Sequence, residues 1–362
     1  MKKSFAAALC GAAVLALTAM AAAQAPAPQK NYSTAALPAP KGGIAPAQGA
    51  RINRMDPALD QIIAPNARIE RLATGFQFTE GPAWHRGELW FSDLRGNKIY
   101  SLSPQGKLTL RLDRAGGVDS FDSRYFRGSN GIVPAPDGGL LVAQHSGHRI
   151  IKLDPQMRVS SFLDRFEGKA LNSPNDMVFA QDGALWFSDP PYFFADPVTG
   201  KVDPDKAPGK VQATNNVYRY KDGKLTAVIR DLPRPNGLAF SPDGKTLYVA
   251  NTENPKTLWR YDVRPDGTLT NKRQLANWEN DKRVGLPDGV KVDSKGHIYA
   301  SGPGGIRILT PDGKVLGQIE LPEDAANMAF GGDDMRTLYI TASGSIYRVN
   351  LATPGLKPMY AR

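Results

Sequence analysis

Asn236-Gly-Leu-Ala-Phe240, a hinge at Asp243-Gly244, then Leu247-Tyr-Val-Ala250: this unit decides the fold, because the chain repeats it. Its opening phrase returns as Glu80-Gly-Pro-Ala-Trp84, Asn130-Gly-Ile-Val133, Asn175-Asp-Met-Val-Phe179, Asp288-Gly-Val-Lys-Val292 and Asn327-Met-Ala-Phe330. A turn and an apolar strand such as Leu89-Trp-Phe-Ser92 follow. Repeats at intervals of 39 to 61 residues read as blades, each a small antiparallel sheet, of a closed propeller. The expected class is all-β, a six-bladed β-propeller. If each phrase starts the innermost strand of its blade, six oxygen-bearing side chains converge on the mouth of the central channel. Symmetry then builds a metal site.

The blade that starts at Asn327 shows three strands, Met328–Phe330, Thr337–Thr341 and Ser345–Val349. Its missing fourth strand is expected from Arg68–Leu72, ahead of the first phrase. Pairing the N-terminal strand with the last blade closes the ring and removes exposed edges. The propeller is therefore expected over residues 66–362. Two connections are long, Asp113 to Gly128 with Phe121, Tyr125 and Phe126, and Pro190 to Asn216 with Tyr192, Phe193 and Phe194. One of them is expected to wall the channel mouth.

Upstream, residues 24–65 are rich in Ala, Pro, Gln and Gly without apolar periodicity, which predicts a linker or loosely wrapped arm mostly lacking fixed structure. Residues 1–23 read as a secretory signal peptide. Lys2 and Lys3 precede an apolar run from Phe5 to Met20, and Ala21-Ala22-Ala23 offers the cleavage site. The run is too short and alanine-rich for a membrane anchor, so no membrane insertion is expected once it is removed. The single cysteine, Cys10, lies inside that run, so the exported chain uses no disulfides. Periplasm, or secretion beyond it, is the expected compartment.

The formal charge is +10, but basic residues are interleaved with acids. That pattern is a solvated surface and argues against a nucleic-acid partner. Oligomeric state has no signature in the sequence.

Glu80, Asn175, Asn236 and Asp288 offer carboxylate and amide oxygens, the hard donors that Ca²⁺ prefers; Mg²⁺ is the alternative, with more water in the shell. Zn²⁺ is disfavoured, because the exported chain has no cysteine and only four histidines. His145 and His148 are three apart, but a strand-and-turn setting does not make them a chelating pair. Asn130 reads as a ligand, a substrate contact or a brace, and Asn327 as a structural residue. Asn-Gly and Asp-Gly are also ordinary turn signals; six of these phrases in one register argue for more than turns.

Phe166-Glu-Gly-Lys-Ala-Leu-Asn-Ser-Pro-Asn-Asp-Met-Val-Phe179, followed by Asp182-Gly-Ala-Leu-Trp-Phe-Ser-Asp-Pro-Pro-Tyr192, resembles the gluconolactonase family. That family is grouped with senescence marker protein 30 and is more distantly related to the squid-type diisopropyl fluorophosphatases. Thr79-Glu80-Gly-Pro-Ala-Trp84, Arg234-Pro-Asn236-Gly-Leu-Ala and Leu286-Pro-Asp288-Gly-Val extend the likeness, which spans roughly residues 67 to 350. The resemblance implies one catalytic divalent cation, usually Ca²⁺, with Glu80, Asn175, Asn236 and Asp288 as its site residues and Asp288 also the base or nucleophile. It implies substrate contacts from Asn130, His145 and Tyr192. Two positions depart from the family pattern: Gln144 stands where a Glu precedes His145, and Asn251-Thr252 replaces Ser-Asp-Thr.

The implied reaction is opening of a sugar lactone to its hydroxy acid. The metal polarises the carbonyl, and Asp288 or metal-bound water assists attack. No Ser-His-Asp signature accompanies His145 or His297. Two other readings stay open, hydrolysis of other esters including phosphotriesters, and a non-catalytic propeller in which Ca²⁺ braces a binding surface.

Overall fold

The computed structural model describes residues 39–118, 125–195 and 203–361. The expected signal peptide, the first part of the Ala/Pro-rich segment and Phe121 lie outside them. Among the described residues, six antiparallel sheets of four or five strands follow one another in chain order, each with its phrase at or just before the innermost strand, and a two-stranded ladder pairs Arg165–Phe166 with Lys169–Ala170. Blade 1 runs through Thr79–His85, Glu88–Asp93, Lys98–Leu102 and Leu108–Asp113. Blades 2, 3, 4 and 5 begin their innermost strands at Ile132, Met177, Pro235 and Val290, and blade 6 uses Ala325–Gly331, Thr337–Ala342 and Ser345–Asn350. Ile69–Thr74 pairs antiparallel with Ser345–Asn350, with Tyr347 opposite Arg71 and Val349 opposite Ile69. The ring closes as the missing fourth strand requires.

The core lies between blades as much as within them. Trp84 of blade 1 stacks on Tyr339 of blade 6 at 5.4 Å, which seals the closing seam. Trp186 meets Phe240 edge-on between blades 3 and 4, and Tyr299 meets Phe330 between blades 5 and 6. Such offset and edge contacts add to area burial.

Around the channel the innermost strands are laced blade to blade. Ser92 Oγ donates to the Asn130 carbonyl at 2.8 Å, and the Gly131 N–H donates to the Asn175 carbonyl at 2.8 Å. Gly237 donates to Asp288 at 3.0 Å, and Gly289 to Ala326 at 2.9 Å. The glycine in second place of the phrase is there for space. A Cβ on Gly131 would lie 2.3 Å from the Asn175 carbonyl oxygen, and one on Gly237 2.2 Å from that of Asp288. The Asn130, Asn175 and Asp288 carbonyls are thus each held by the blade before them.

The expectation of an arm without fixed structure is corrected for residues 41–65. Lys41–Pro46 adds a fifth strand to blade 6 by pairing with Ile69–Thr74. Arg51–Arg54 does the same for blade 5 against Val315–Glu320. A 3₁₀ turn at Pro57–Gln61, capped by Asp56, then buries Leu59, and Ile62 and Ile63 follow it into the core. Apolar periodicity missed this segment because its order comes from backbone pairing to open sheet edges, which is indifferent to side-chain pattern. The outer edges it covers belong to blade 6, which closes the ring, and to blade 5 before it.

Candidate active site at the channel mouth

Glu80, Asn130, Asn175, Asn236 and Asn327 are buried, and Asp288 is half-buried. They divide into two groups. In the first, the Oδ1 atoms of Asn130, Asn175 and Asn236 are buried without a hydrogen-bond partner. For Asn236 the cause is visible, because its Nδ2 donates to Thr252 Oγ1 at 3.0 Å and to the Tyr192 hydroxyl at 3.5 Å. Both acceptors lie on the Nδ2 side, so Oδ1 faces elsewhere. Backbone bonds from the Asn130 N–H to the Ala143 carbonyl and from the Asn175 N–H to the Ser188 carbonyl anchor the main chain at the other two. An unpaired buried oxygen costs about 1–3 kcal/mol. Three at equivalent positions of three blades form a donor set of the kind a hard cation accepts. Among the described residues no three His, Cys, Asp or Glu side chains cluster as metal ligands, so a cation here would draw on amide oxygen as well as carboxylate.

Asp288 is fixed by its N–H, which donates to Ser301 Oγ at 3.1 Å. Its charge reaches Tyr192: burial first, and the Asp288 carboxylate after it, push the Tyr192 hydroxyl upward. That hydroxyl therefore stays protonated.

The second group sits around Glu80. Its Oε2 accepts the Gly81 N–H at 2.7 Å and Asn327 Nδ2 at 3.3 Å. Asn327 also reaches Asp176 Oδ2 at 3.5 Å, and Lys291 Nζ lies 3.2 Å from that same oxygen. Burial pushes the Glu80 carboxyl up to about 7, and the Asp176 charge adds to the shift. A carboxylate so placed is stabilised by positive charge brought beside it. Asn327 acts as a brace for Glu80.

The histidines do not chelate together. The Nδ1–H of His145 donates to the Pro174 carbonyl at 3.3 Å and that of His148 to the Asn172 carbonyl, which fixes both tautomers. His145 is fully buried, with Nε2 unpartnered. Burial pulls its pKa down to about 3 from the ordinary 6.5. The unfolded chain protonates this imidazole near 6.5 and the folded chain refuses the proton. Its contribution to stability is therefore complete above pH 6.5 and is lost as the pH falls toward 3. Urea-melt midpoints are expected to decline between pH 7 and pH 4.5, and His145→Gln should make that decline shallower. An unchanged slope in the variant would show that other groups carry the acid sensitivity.

Both departures from the family pattern have local partners. Gln144 donates to the Ala115 carbonyl at 2.9 Å and accepts from Arg149 Nε at 2.5 Å. Asn251 ties Arg234, Glu253 and Pro255 together, leaving Thr252 to orient Asn236. From the second long connection, the Tyr192 hydroxyl accepts from Asn236 Nδ2 at 3.5 Å. Arg127 of the first connection lies 4.3 Å over the Phe193 ring of the second and 5.0 Å over Tyr125.

Reading the phrases by first position alone missed Asp176, Lys291 and Thr252. Asp176 was signalled by standing where four other phrases carry glycine. Lys291 was signalled as the one charged residue within Val290–Val292.

Comparison with known proteins agrees with the motif likeness. Residues 78–344 match the model described as the SMP-30/Gluconolactonase/LRE-like region. A gluconolactonase of Zymomonas mobilis is 36% identical over 318 residues, covering 84% of this chain and 87% of that protein. A solved gluconolactonase from Xanthomonas campestris has a TM-score of 0.74 at 32% identity, covering 86% of this chain and 98% of the other. A calcium-binding regucalcin from Agrobacterium tumefaciens shares the fold at 20% identity, with a TM-score of 0.61 over 79% of this chain and 95% of that one.

Proposed function

This chain belongs to the SMP-30/gluconolactonase/LRE-like family, and from that premise we propose that it hydrolyses the ring ester of a sugar lactone with the help of one divalent cation. Ca²⁺ is the first choice and Mg²⁺ the second. Glu80, Asn175, Asn236 and Asp288 would hold it. The observation that carries the cation is the set of buried Oδ1 atoms without a hydrogen-bond partner at Asn130, Asn175 and Asn236. Such a cation supplies Lewis-acid polarisation of a carbonyl.

The chain's own groups account for the rest. Asp288, half-buried and anchored to Ser301, takes a proton from the attacking water. The water oxygen bonds to the carbonyl carbon, the bond from that carbon to the ring oxygen breaks, and the ring oxygen leaves with a proton as an alcohol. The product is the open hydroxy acid. Tyr192, kept protonated, donates a hydrogen bond to the substrate. Asn130 contacts the substrate from the neighbouring blade. His145, held neutral, offers Nε2 as an acceptor to a hydroxyl. A polyhydroxylated lactone suits such a mixture of donors and acceptors. The leader of residues 1–23 supports an exported enzyme, periplasmic or secreted.

The test is turnover of glucono-1,5-lactone above its spontaneous opening, followed by acid release. Chelator treatment is expected to abolish it and added Ca²⁺ to restore it. A folded, Ca²⁺-supplied protein with no turnover would move the assignment to other esters, and then to a binding role.

A further inference from the structure

Lys291 is the middle residue of Val290–Val292, the innermost strand of blade 5. Val290 and Val292 are buried in the sheet packing, and strand alternation turns Lys291 the opposite way, across the channel. Its ammonium lies 3.2 Å from Asp176 Oδ2 of blade 3, 3.2 Å from Asn327 Oδ1 of blade 6 and 3.1 Å from the Val290 carbonyl. Three hydrogens meet three oxygens, so its donor capacity is spent.

Asn327 is fixed in consequence. Its Oδ1 also accepts the Met328 N–H at 2.8 Å. With two donors on that side, Nδ2 must face the carboxylates, and it donates to Glu80 Oε2 at 3.3 Å. Glu80 Oε2 is then committed to Asn327 and to the Gly81 N–H. Oε1 is the oxygen left for a ligand. Charge follows the same logic. Lys291 cancels Asp176, so Glu80 and Asp288 remain as the two negative charges that balance a dication.

We propose that Lys291 is a positioning residue of the channel mouth, whose ammonium, acting through Asn327 and Asp176, holds Glu80 with Oε2 bound inward and Oε1 presented to the cation. The inference rests on the cation reading above and adds a residue that no phrase of the repeat singles out. A residue that merely filled the channel would need only its apolar stem. A positioning residue needs its charge.

Lys291→Met keeps the length of the stem and removes the charge. Calorimetric titration of chelator-stripped protein with Ca²⁺ is expected to show affinity weakened about 10–100-fold, the usual cost of losing a partner that orients a metal ligand. Saturating Ca²⁺ should return kcat toward the wild-type value, separating positioning from chemistry. In Asp176→Asn/Lys291→Met, where no carboxylate is left uncompensated, part of the affinity should return. Thermal melts in excess chelator report whether each variant folds. If Lys291→Met does not fold, Lys291→Arg takes its place: the charge stays, the three-way geometry goes, and weaker Ca²⁺ binding is again expected. A folded variant that binds Ca²⁺ as tightly as the wild type, or more tightly, overturns the proposal, because an extra net negative charge alone would strengthen binding. Wild-type protein that takes up no Ca²⁺ overturns the cation reading and this inference with it.

Discussion

Asp288→Asn is expected to lower kcat for glucono-1,5-lactone by about 10²–10⁴-fold, the range a positioned general base contributes, with a smaller loss of Ca²⁺ affinity. The amide keeps the volume and one oxygen of the carboxylate. The backbone anchors of the position, Asp288 N–H to Ser301 Oγ and Gly237 N–H to the Asp288 carbonyl, do not depend on the side chain. What disappears is one negative charge and the group that takes the proton from water. Asp288→Ala removes the oxygen as well, so cation binding should fall further. Steady-state kinetics over a Ca²⁺ titration separate the two variants. A kcat for Asp288→Asn within a few-fold of the wild type would take the base role away from Asp288.

Gly237→Ala should have the next largest effect, and through a different cause. The added methyl would sit 2.2 Å from the Asp288 carbonyl oxygen, 2.6 Å from the Val290 nitrogen and 2.7 Å from the Gly289 Cα. All three are backbone atoms, so no side chain can swing aside. Overpacking of this kind costs about 1–3 kcal/mol and sometimes more. The strain is relieved by moving the innermost strands of blades 4 and 5 apart, which shifts Asp288 and Asn236 relative to each other. A displacement near 1 Å at reacting groups costs about 10²-fold in rate. Urea melts and kcat/KM on the same preparation are expected to fall together. Wild-type values for both would mean that these strands are not packed as closely as described.

Much of the candidate site was legible because the repeat is local. Glu80, Asn130, Asn175, Asn236, Asp288 and Asn327 were found by their common place in a short phrase, and ring symmetry does the rest by bringing equivalent places to one end of the channel. The glycine in second place was legible as a turn signal, but its actual reason is the neighbouring blade's carbonyl, as at Gly131 and Gly237. No turn preference carries that information.

Legible in the sequence were the six blades, the phrase that opens the innermost strand of each, and the closing partnership of Ile69–Thr74 with Ser345–Asn350. These follow from alternation, hinges and the need to bury sheet edges, all of which are written within a few tens of residues. How the oxygens of the six phrases divide is settled by contacts between blades. Asn236 turns its Oδ1 away because Thr252 and Tyr192 take its amide hydrogens. Asn327, equal to the others in the repeat, becomes a brace because Lys291 stands opposite it and Asp176 beside it. Lys291 and Asp176 are 115 positions apart, and no local pattern links them; they meet because closing the ring sets blade 3 and blade 5 across one channel. The strands at Lys41–Pro46 and Arg51–Arg54 belong to the same class, since an edge can order a segment only once the blade that owns it exists.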